Sequence, residues 1–311
     1  MPTAVLERTG ESGDNGQVRE SSPRRRLWCA LVLVLAAGCR HGPLPTTIAI
    51  GPKQELIAHA RIGNASIKLQ LDTGASTTSL SPTVCRRLGI PFGHTAYEPP
   101  ATGGGAGGAL RDVKWTLVSR FQLADEVFYM QPLAVIELDT AGGAIDGVLG
   151  MDVLGQYILD VDLGAREFAL RDQRDTSFRA ADLVAASYRP LVGGQIGVTV
   201  AIDGRPTTAV LDLGSNRTLA NRLALEPDDH DETISAAIGA DGNRAKFHAA
   251  SDVRLDLGEL ELHAPSVWIS DLPIFGTFGL ADRPAVVLGT DALAGRRVVI
   301  DPFARQVYVS R

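Results

Sequence analysis

The sequence contains the same two motifs twice, in the same order. Asp72–Gly74 and Asp212–Gly214 each follow an apolar run, and each is followed by a matching block, Val148–Leu154 and then Val287–Leu293. The second match continues without a gap into Asp-Leu-Gly-Ala-Arg at 162–166 and Asp-Pro-Phe-Ala-Arg at 301–305. Order-preserving repeats at a nearly constant offset indicate an internal duplication. The chain is therefore expected to fold as two similar units.

The first motif has the pattern of a strand that ends in a turn. Residues 67–71 alternate apolar and polar side chains, which is typical of a strand with one buried face. Asp72 stands at the end of this strand, and Thr73 and Gly74 form the turn. A carboxylate placed there can point into a cleft while backbone N–H groups donate to it. Asp-Thr-Gly alone is common and is often a plain turn, so the second copy is what favours catalysis.

Composition limits both the fold class and the partners. A length of 311 residues leaves room for two domains, each with its own core. Glycine is abundant, at 33 residues, and helical periodicity is scarce, which favours a turn-rich all-β protein. The net charge of -6 and the lack of a basic block beyond residues 24–26 argue against nucleic-acid binding. We expect a first lobe at 55–171, a connector at 172–189 and a second lobe at 190–311.

Residues 1–39 are predicted to be a leader with a lipoprotein signal peptide. Three arginines at 24–26 precede a short apolar run that ends in Ala-Ala-Gly-Cys at Cys39. This end resembles a bacterial lipobox, in which the cysteine carries lipid; an ordinary secretory signal cut nearby is the alternative. The polar residues before the arginines leave open a later start, for example at Val18. The prediction is a lipid-anchored, periplasm-facing protein of the cell envelope, and Arg40 favours the outer membrane.

Two further segments outside the motifs carry predictions. Residues 40–54 contain three prolines and are expected to form an irregular tether. Residues 81–89 have Pro near the start and Gly at the end, the pattern of a short helix. Within that helix, Cys85 is the cysteine left for the folded part, so no internal disulfide is expected there. Cys85 is interpreted as a small buried hydrophobe.

A glycine-rich run precedes a predicted strand at 112–118. Its spacing formally contains GxGxxG, but a dinucleotide site needs a strand before the run and a helix after it. A mobile hairpin that folds over a cleft and reopens fits better. The glycines concerned are Gly103, Gly104, Gly105, Gly107 and Gly108.

Motifs for other hydrolytic or phosphate chemistry are missing from the sequence. It contains no HExxH, CxxC, GxSxG or GK[ST], and its six histidines have no ligand-like spacing. Ser76, Ser79 and Ser215 are better explained as turn and hydrogen-bonding residues than as nucleophiles. The chemistry that remains is carboxylate chemistry.

The duplication suggests that Asp72 and Asp212 meet across a pseudo-twofold interface. Two carboxyl groups about 3 Å apart share one proton and titrate as a coupled pair. The ionised member can take a proton from a water that attacks a carbonyl, while the protonated member hydrogen-bonds the developing oxyanion. The expected reaction is amide hydrolysis that needs neither a metal nor another cofactor.

These residues resemble a known family. Asp72–Ser76 with the Val-Leu-Gly block at 148–150 is similar to one retropepsin-type aspartic protease unit. Residues 55–311 resemble the bacterial aspartyl proteases in which two such units are fused. The resemblance implies two closed β-barrel lobes with an active-site cleft between them. It also implies an extended peptide or protein substrate and a monomer with an internal pseudo-dimer.

The resemblance also implies roles for single residues. Asp72 and Asp212 would form the catalytic dyad, Gly74 and Gly214 would shape the two turns, and the glycine-rich run would be the flap. The residues implied to support the motif are Thr73, Ser76 and Ser215. Asp152 and Asp291, which follow the apolar-apolar-Gly element of each repeat, are assigned structural hydrogen bonds or helix capping.

One residue departs from the family pattern. Leu213 stands where the family has Thr or Ser, whose hydroxyl belongs to a network that crosses between the turns and keeps the carboxyls coplanar. At least half of that network is therefore expected to be missing. The departure leaves two alternatives open: a catalytically silent bilobal lipoprotein that binds peptides or envelope partners, or a chain that dimerises through its first unit.

Overall fold

Alternating apolar side chains form most of the fold as β-strands, and the all-β prediction is confirmed. The computed structural model describes residues 45–51, 54–94, 104–105, 108–109, 113–138, 145–178, 182–228, 232–238 and 243–311. All of these residues fall within one compact unit, His41–Arg311. The predicted leader and Cys39 lie outside the described residues.

Among the described residues before the second repeat there are twelve strands and two helices. In chain order they are β1 (Thr46–Thr47), β2 (Ala49–Ile50), β3 (Leu56–Ile62), β4 (Ala65–Leu71), β5 (Ser79–Leu80), α1 (Pro82–Leu88), β6 (Gly104–Gly105), β7 (Gly108–Ala109), β8 (Lys114–Leu123), β9 (Glu126–Val135), β10 (Gly147–Leu149), α2 (Met151–Leu154), β11 (Ile158–Asp162) and β12 (Glu167–Arg171).

From residue 183 onward, the part of the chain that the structure describes has ten strands and one helix. They are β13 (Leu183–Pro190), β14 (Ile196–Ile202), β15 (Arg205–Leu211), β16 (Thr218–Ala220), β17 (Glu232–Ile238), β18 (Asn243–Leu257), β19 (Leu260–Ile269), α3 (Pro273–Thr277), β20 (Ala285–Leu288), β21 (Arg297–Asp301) and β22 (Gln306–Ser310). None of the helices in this described part of the chain has the length and apolar character needed to cross a bilayer.

Two barrels with the same strand plan contain the motifs. The first has the order β3-β4-β10-β5-β9-β8 and is closed by pairing of β3 with β8. The second has the order β14-β15-β20-β16-β19-β18 and is closed by pairing of β14 with β18. Ile67, Leu69 and Leu71 point into the first barrel and are fully buried, as their alternation predicts. The predicted pair of barrels is therefore present in the fold.

A third group of strands contains members of both repeats. Its order is β1-β12-β11-β21-β22-β13, and β13 continues the pairing into β14 of the second barrel. The join between the repeats is the antiparallel pair β11–β21, which sets Asp160 opposite Val299. Because this sheet is continuous through both repeats, backbone hydrogen bonds connect them, and the boundaries 55–171 and 190–311 stay a prediction.

Two segments placed outside the predicted lobes contain strands. Within the 40–54 tether, β1 pairs with β12 and β2 pairs with β3. The expectation failed because proline removes only its own N–H, and residues 46–50 contain no proline. Within the 172–189 connector, β13 pairs with β22 and β14. Its polar composition is that of a sheet face largely open to solvent, with Val184 buried.

Local turn and cap signals were predicted correctly. Helix α1 has Ser81 as its N-cap, with Oγ accepting from the N–H of Val84, and it ends at Gly89 with φ of 66°. Only glycine adopts that left-handed conformation without strain, which explains the stop. Cys85 is buried and carries no disulfide, as expected. Burial raises the pKa of its thiol.

Candidate active site

The first turn leaves β4 and fixes the Asp72 carboxylate by backbone hydrogen bonds. The N–H of Asp72 donates to the carbonyl of Leu149 in the neighbouring parallel strand β10, at 3.1 Å. Asp72 Oδ1 then accepts from the N–H groups of Gly74 at 2.8 Å and Ala75 at 2.9 Å. The backbone of the first turn therefore orients the carboxylate.

The second turn repeats this arrangement at the end of β15. The N–H of Asp212 donates to the carbonyl of Leu288 in the parallel strand β20, at 3.1 Å. Asp212 Oδ1 accepts from Gly214 at 2.8 Å and from Ser215 at 3.2 Å. The two turns thus hold their aspartates with corresponding donors, as the duplication predicts.

The structure brings the two carboxyl groups together. Asp72 and Asp212 share a side-chain hydrogen bond, and the Gly74 N–H also reaches Asp212. A Cβ built on Gly74 would lie 2.6 Å from Asp212 Cγ, and one built on Gly214 would lie 2.6 Å from Asp72 Oδ1. Each glycine therefore lies against the opposite carboxyl group, where no side chain fits.

Burial raises the pKa of both aspartates, and the charge of Asp212 raises the pKa of Asp72 further. Each carboxyl keeps an exposed edge, yet it is densely surrounded by protein, and this desolvation is the largest cause of the rise at both. The pKa of Asp72 rises well above its ordinary value because the charge of Asp212 adds to desolvation. At Asp212 the backbone N–H groups and the bond from Asp72 oppose the rise. The two carboxyl groups therefore form a coupled pair that favours one shared proton.

A buried threonine connects the two turns from one side. Thr73 Oγ1 donates to the carbonyl of Leu211 at 2.8 Å and accepts from the N–H of Leu213 at 2.9 Å. Leu213 occupies the matching position of the second repeat, is 1% exposed and packs in the main hydrophobic core. Since leucine has no hydroxyl, the return pair of hydrogen bonds cannot form. The expected loss of half the network is thus present in the structure.

A further cross-connection was not anticipated from the sequence. Gln70 Nε2 donates to the carbonyl of Gly214 at 2.7 Å, from β4 of the first barrel to the second turn. Alternation alone placed this side chain on the polar face of its strand. A signal was nevertheless present, because Gln70 precedes Asp72 by two residues where the second repeat has Val210.

The serines near the turns form local structure. Ser215 Oγ donates to the carbonyl of Arg217 at 2.6 Å, and the carbonyl of Ser215 accepts from the N–H of Thr290 at 2.9 Å. The carbonyl of Ser76 accepts from the N–H of Asp152 at 3.2 Å. These bonds fit the supporting role expected of Ser76 and Ser215.

Asp152 and Asp291 make matching structural bonds. Asp152 Oδ1 accepts from Thr78 Oγ1 at 2.6 Å and from the Val153 N–H at 2.9 Å. Asp291 Oδ1 accepts from Thr218 Oγ1 at 2.7 Å and from the following N–H at 2.9 Å. Desolvation raises the pKa of Asp152. Their predicted structural role agrees with these contacts.

Part of the predicted flap lies within the described residues. β6 and β7 pair as a separate two-stranded hairpin through Gly104, Gly105 and Gly108. Backbone atoms of this hairpin approach α3 of the second repeat, with Cα atoms within 8 Å. The hairpin thus extends from the first repeat toward the second. Gly103 and Gly107 lie outside the described residues, so the full flap stays a prediction.

Comparison with known families agrees with this geometry. Residues 58–153 match the aspartyl protease family. The matched segment contains the first motif, the flap region and the Val-Leu-Gly block, whereas the duplicated second half lies outside it. No curated protein gives a significant match to the chain. Within the described residues, no group of three or more His, Cys, Asp or Glu side chains is arranged to hold a metal ion.

Proposed function

We propose that the chain is an aspartic endopeptidase of the bacterial cell envelope, with Asp72 and Asp212 as its catalytic pair. The observation that carries the proposal is the close approach of two carboxyl groups at the ends of matching strands, each against the glycine of the opposite turn. Matching turns, glycines that admit the opposite carboxyl and the family match over 58–153 support it.

The proposed mechanism uses one water and the single proton of the pair. Ionised Asp212 takes a proton from the water while the oxygen of the water bonds to the peptide carbonyl carbon. At the same time Asp72 gives its proton to the carbonyl oxygen. The resulting diol collapses when Asp212 gives its proton to the amide nitrogen and the C–N bond breaks. The proton of one diol hydroxyl returns to Asp72, which restores the starting state without a covalent intermediate.

The substrate is proposed to be a peptide or an unfolded protein segment in extended form. The β6–β7 hairpin and α3 support this proposal, since they approach one another from different repeats. A hairpin in that position closes over a bound chain and excludes water from the reacting carbonyl. Because both aspartates come from one chain, the enzyme is proposed to act as a monomer.

The cellular location is proposed from the sequence alone. Lipid on Cys39 would hold the chain at the periplasmic face of the envelope, and Arg40 favours the outer membrane. Lipid labelling of the full chain and its Cys39→Ser variant tests this, since label is expected on the first and not on the second.

The test of activity uses the full chain, purified in mild detergent, with an unfolded protein as substrate. We expect cleavage at mildly acidic pH that falls by at least about 100-fold in Asp72→Asn and Asp212→Asn. Asp125→Asn, which changes an exposed aspartate in the β8–β9 turn, serves as the matched control. Cleavage that survives Asp212→Asn and is lost in Asp72→Asn would instead indicate pairing of two chains through the first unit.

A second candidate is a silent lipoprotein that binds peptides or envelope partners in the same cleft. The observation that favours it is Leu213, which removes half of the hydrogen bonds that connect the turns. Peptide binding by a folded wild-type chain that shows no cleavage between pH 3 and 8 would support this candidate and reject the first.

A further inference from the structure

Two of the matched positions at which the motifs differ are coupled in space. The second motif has Leu213 in place of Thr73, so it cannot bond back to the first turn. Two residues before the aspartate, the first repeat has Gln70 and the second has Val210. Val210 is fully buried in a separate apolar cluster, whereas Gln70 is partly exposed and crosses to the other repeat. The second turn, which has no hydroxyl at Leu213, thus accepts a hydrogen bond from the side-chain amide of Gln70 in the first repeat.

The Gln70 contact acts on the residue that orients Asp212. Its Nε2 lies 2.7 Å from the carbonyl oxygen of Gly214, and the N–H of Gly214 donates to Asp212 Oδ1 at 2.8 Å. Gly214 also packs directly against the carboxyl group of Asp72. A shift of Gly214 would therefore change both the hydrogen bond to Asp212 and the contact between the two carboxyls.

The base of the Gln70 side chain is held firmly. Within β4 its backbone pairs with Ile57 of β3 and Val148 of β10, so the strand is fixed on both sides. The amide thus extends from a rigid strand, and its bond to a carbonyl resists movement of the second turn. A solvent-facing glutamine on a strand would supply no such restraint.

We propose that Gln70 is a positioning residue that replaces the hydroxyl missing at Leu213 and holds the second turn in register with the first. The proposal rests on the proposed peptidase function. Gln70 does not touch the reacting atoms; it acts through Gly214. Thr73 fixes one side of the junction through the backbone of Leu211 and Leu213, and Gln70 fixes the other side.

The test compares Gln70→Met in two backgrounds, wild type and Leu213→Thr. Methionine keeps the length of the side chain and removes the donor. In the wild-type background we expect kcat to fall about 10-fold, with KM changed less than about twofold. In the Leu213→Thr background, Gln70→Met should lower kcat by less than about threefold, because the restored hydroxyl supplies the hydrogen bonds from the second turn to the first.

The pH dependence separates positioning from simple packing. The Gly214 N–H lowers the pKa of Asp212, so a loosened turn should raise that pKa and move the acidic limb of the kcat/KM profile to higher pH. Gln122→Met is the matched control, since Gln122 lies on β8 and bonds within its own hairpin. That variant is expected to leave kcat and the acidic limb unchanged.

Two outcomes would overturn the proposal. One is an equal loss of kcat in both backgrounds, and the other is a lower Tm with kcat and the acidic limb unchanged. If the wild-type chain cleaves nothing, the peptidase function fails separately. NMR titration of the aspartate carboxyl carbons then tests the positioning role of Gln70. If Gln70 holds the second turn, the pKa of Asp212 should be higher in Gln70→Met than in the wild type. An unchanged titration curve would reject the proposal.

Discussion

The two repeats have the same backbone plan but contribute differently to their junction. At three matched positions the first repeat has a polar residue and the second has a buried aliphatic one: Gln70 and Val210, Thr73 and Leu213, Asp160 and Val299. Each of the three polar side chains bonds to the second repeat. The first repeat therefore supplies the polar connections, and the second supplies apolar packing.

Asp160 shows how this division works away from the cleft. Its carboxylate accepts two bonds from Arg297 of the second repeat, at 2.8 and 2.7 Å, and one from Arg171 of its own repeat at 2.7 Å. The side chain of Asp160 is 6% exposed, so the charge depends on these partners. A duplicated fold can thus become asymmetric in side chains while its backbone remains symmetric.

The largest effect on activity is expected at the two turn glycines, where the repeats have the same residue. Gly74→Ala and Gly214→Ala each place a methyl group against the opposite carboxyl, so both should reduce kcat/KM by at least about 100-fold. Gly63→Ala is a control for handling, since its Cβ position is open, although its φ of 57° adds a small strain. A large loss in only one of the two glycine variants would show that the turns are functionally unequal.

An intermediate effect tests where the repeats differ. Leu213→Ala should lower the free energy of unfolding by about 2–5 kcal/mol because it leaves a cavity in the core. Thr73→Val should lower it by about 1–3 kcal/mol because it removes the hydroxyl bonded to Leu211 and Leu213. Urea unfolding measures both. Thr73→Ser keeps the hydroxyl, and a loss there equal to that of Thr73→Val would contradict the polar role.

The smallest expected effect concerns pH and stability. Because the folded pKa of Asp72 is raised, the carboxyl favours the folded state below its ordinary pKa of 3.8 and loses that contribution as the pH rises through the folded value. At neutral pH, ionisation of the desolvated Asp72 carboxyl disfavours the folded state. Asp72→Asn removes the ionisable group and therefore this destabilisation. Its Tm should therefore exceed that of the wild type by a few degrees at pH 7 and match it more closely near pH 4.

The Tm of Asp212→Asn, measured over the same pH range, extends the comparison to the second aspartate. At Asp212, backbone donors and the bond from Asp72 oppose the rise in pKa that desolvation causes. The stabilisation at pH 7 should accordingly be smaller than in Asp72→Asn. A larger gain at Asp212, measured by calorimetry, would reverse the assignment of the shared proton.

Much of the fold could be predicted because its signals are local. The alternation of apolar and polar residues predicted the strand before Asp72, and Pro and Gly predicted the ends of α1. The duplication predicted that the two motifs face each other. The strands at 46–50 and 183–190 were missed, because their pairing depends on what lies alongside rather than on composition. The Gln70 bond was missed for the same reason, since its acceptor lies 144 residues away.

The register of β11 with β21 bears on how such a chain can associate. Asp160 and Val299 occupy equivalent repeat positions and also face each other, so the local dyad axis runs between them. In a complex of two first repeats joined in this way, Asp160 would face its own copy, and Ile158 would stand where Arg297 now neutralises it. Like charges would then meet at the centre of symmetry with Arg171 of each repeat as the remaining counterion. This disfavours self-association of the first repeat relative to its pairing with the fused second repeat, which supplies Arg297.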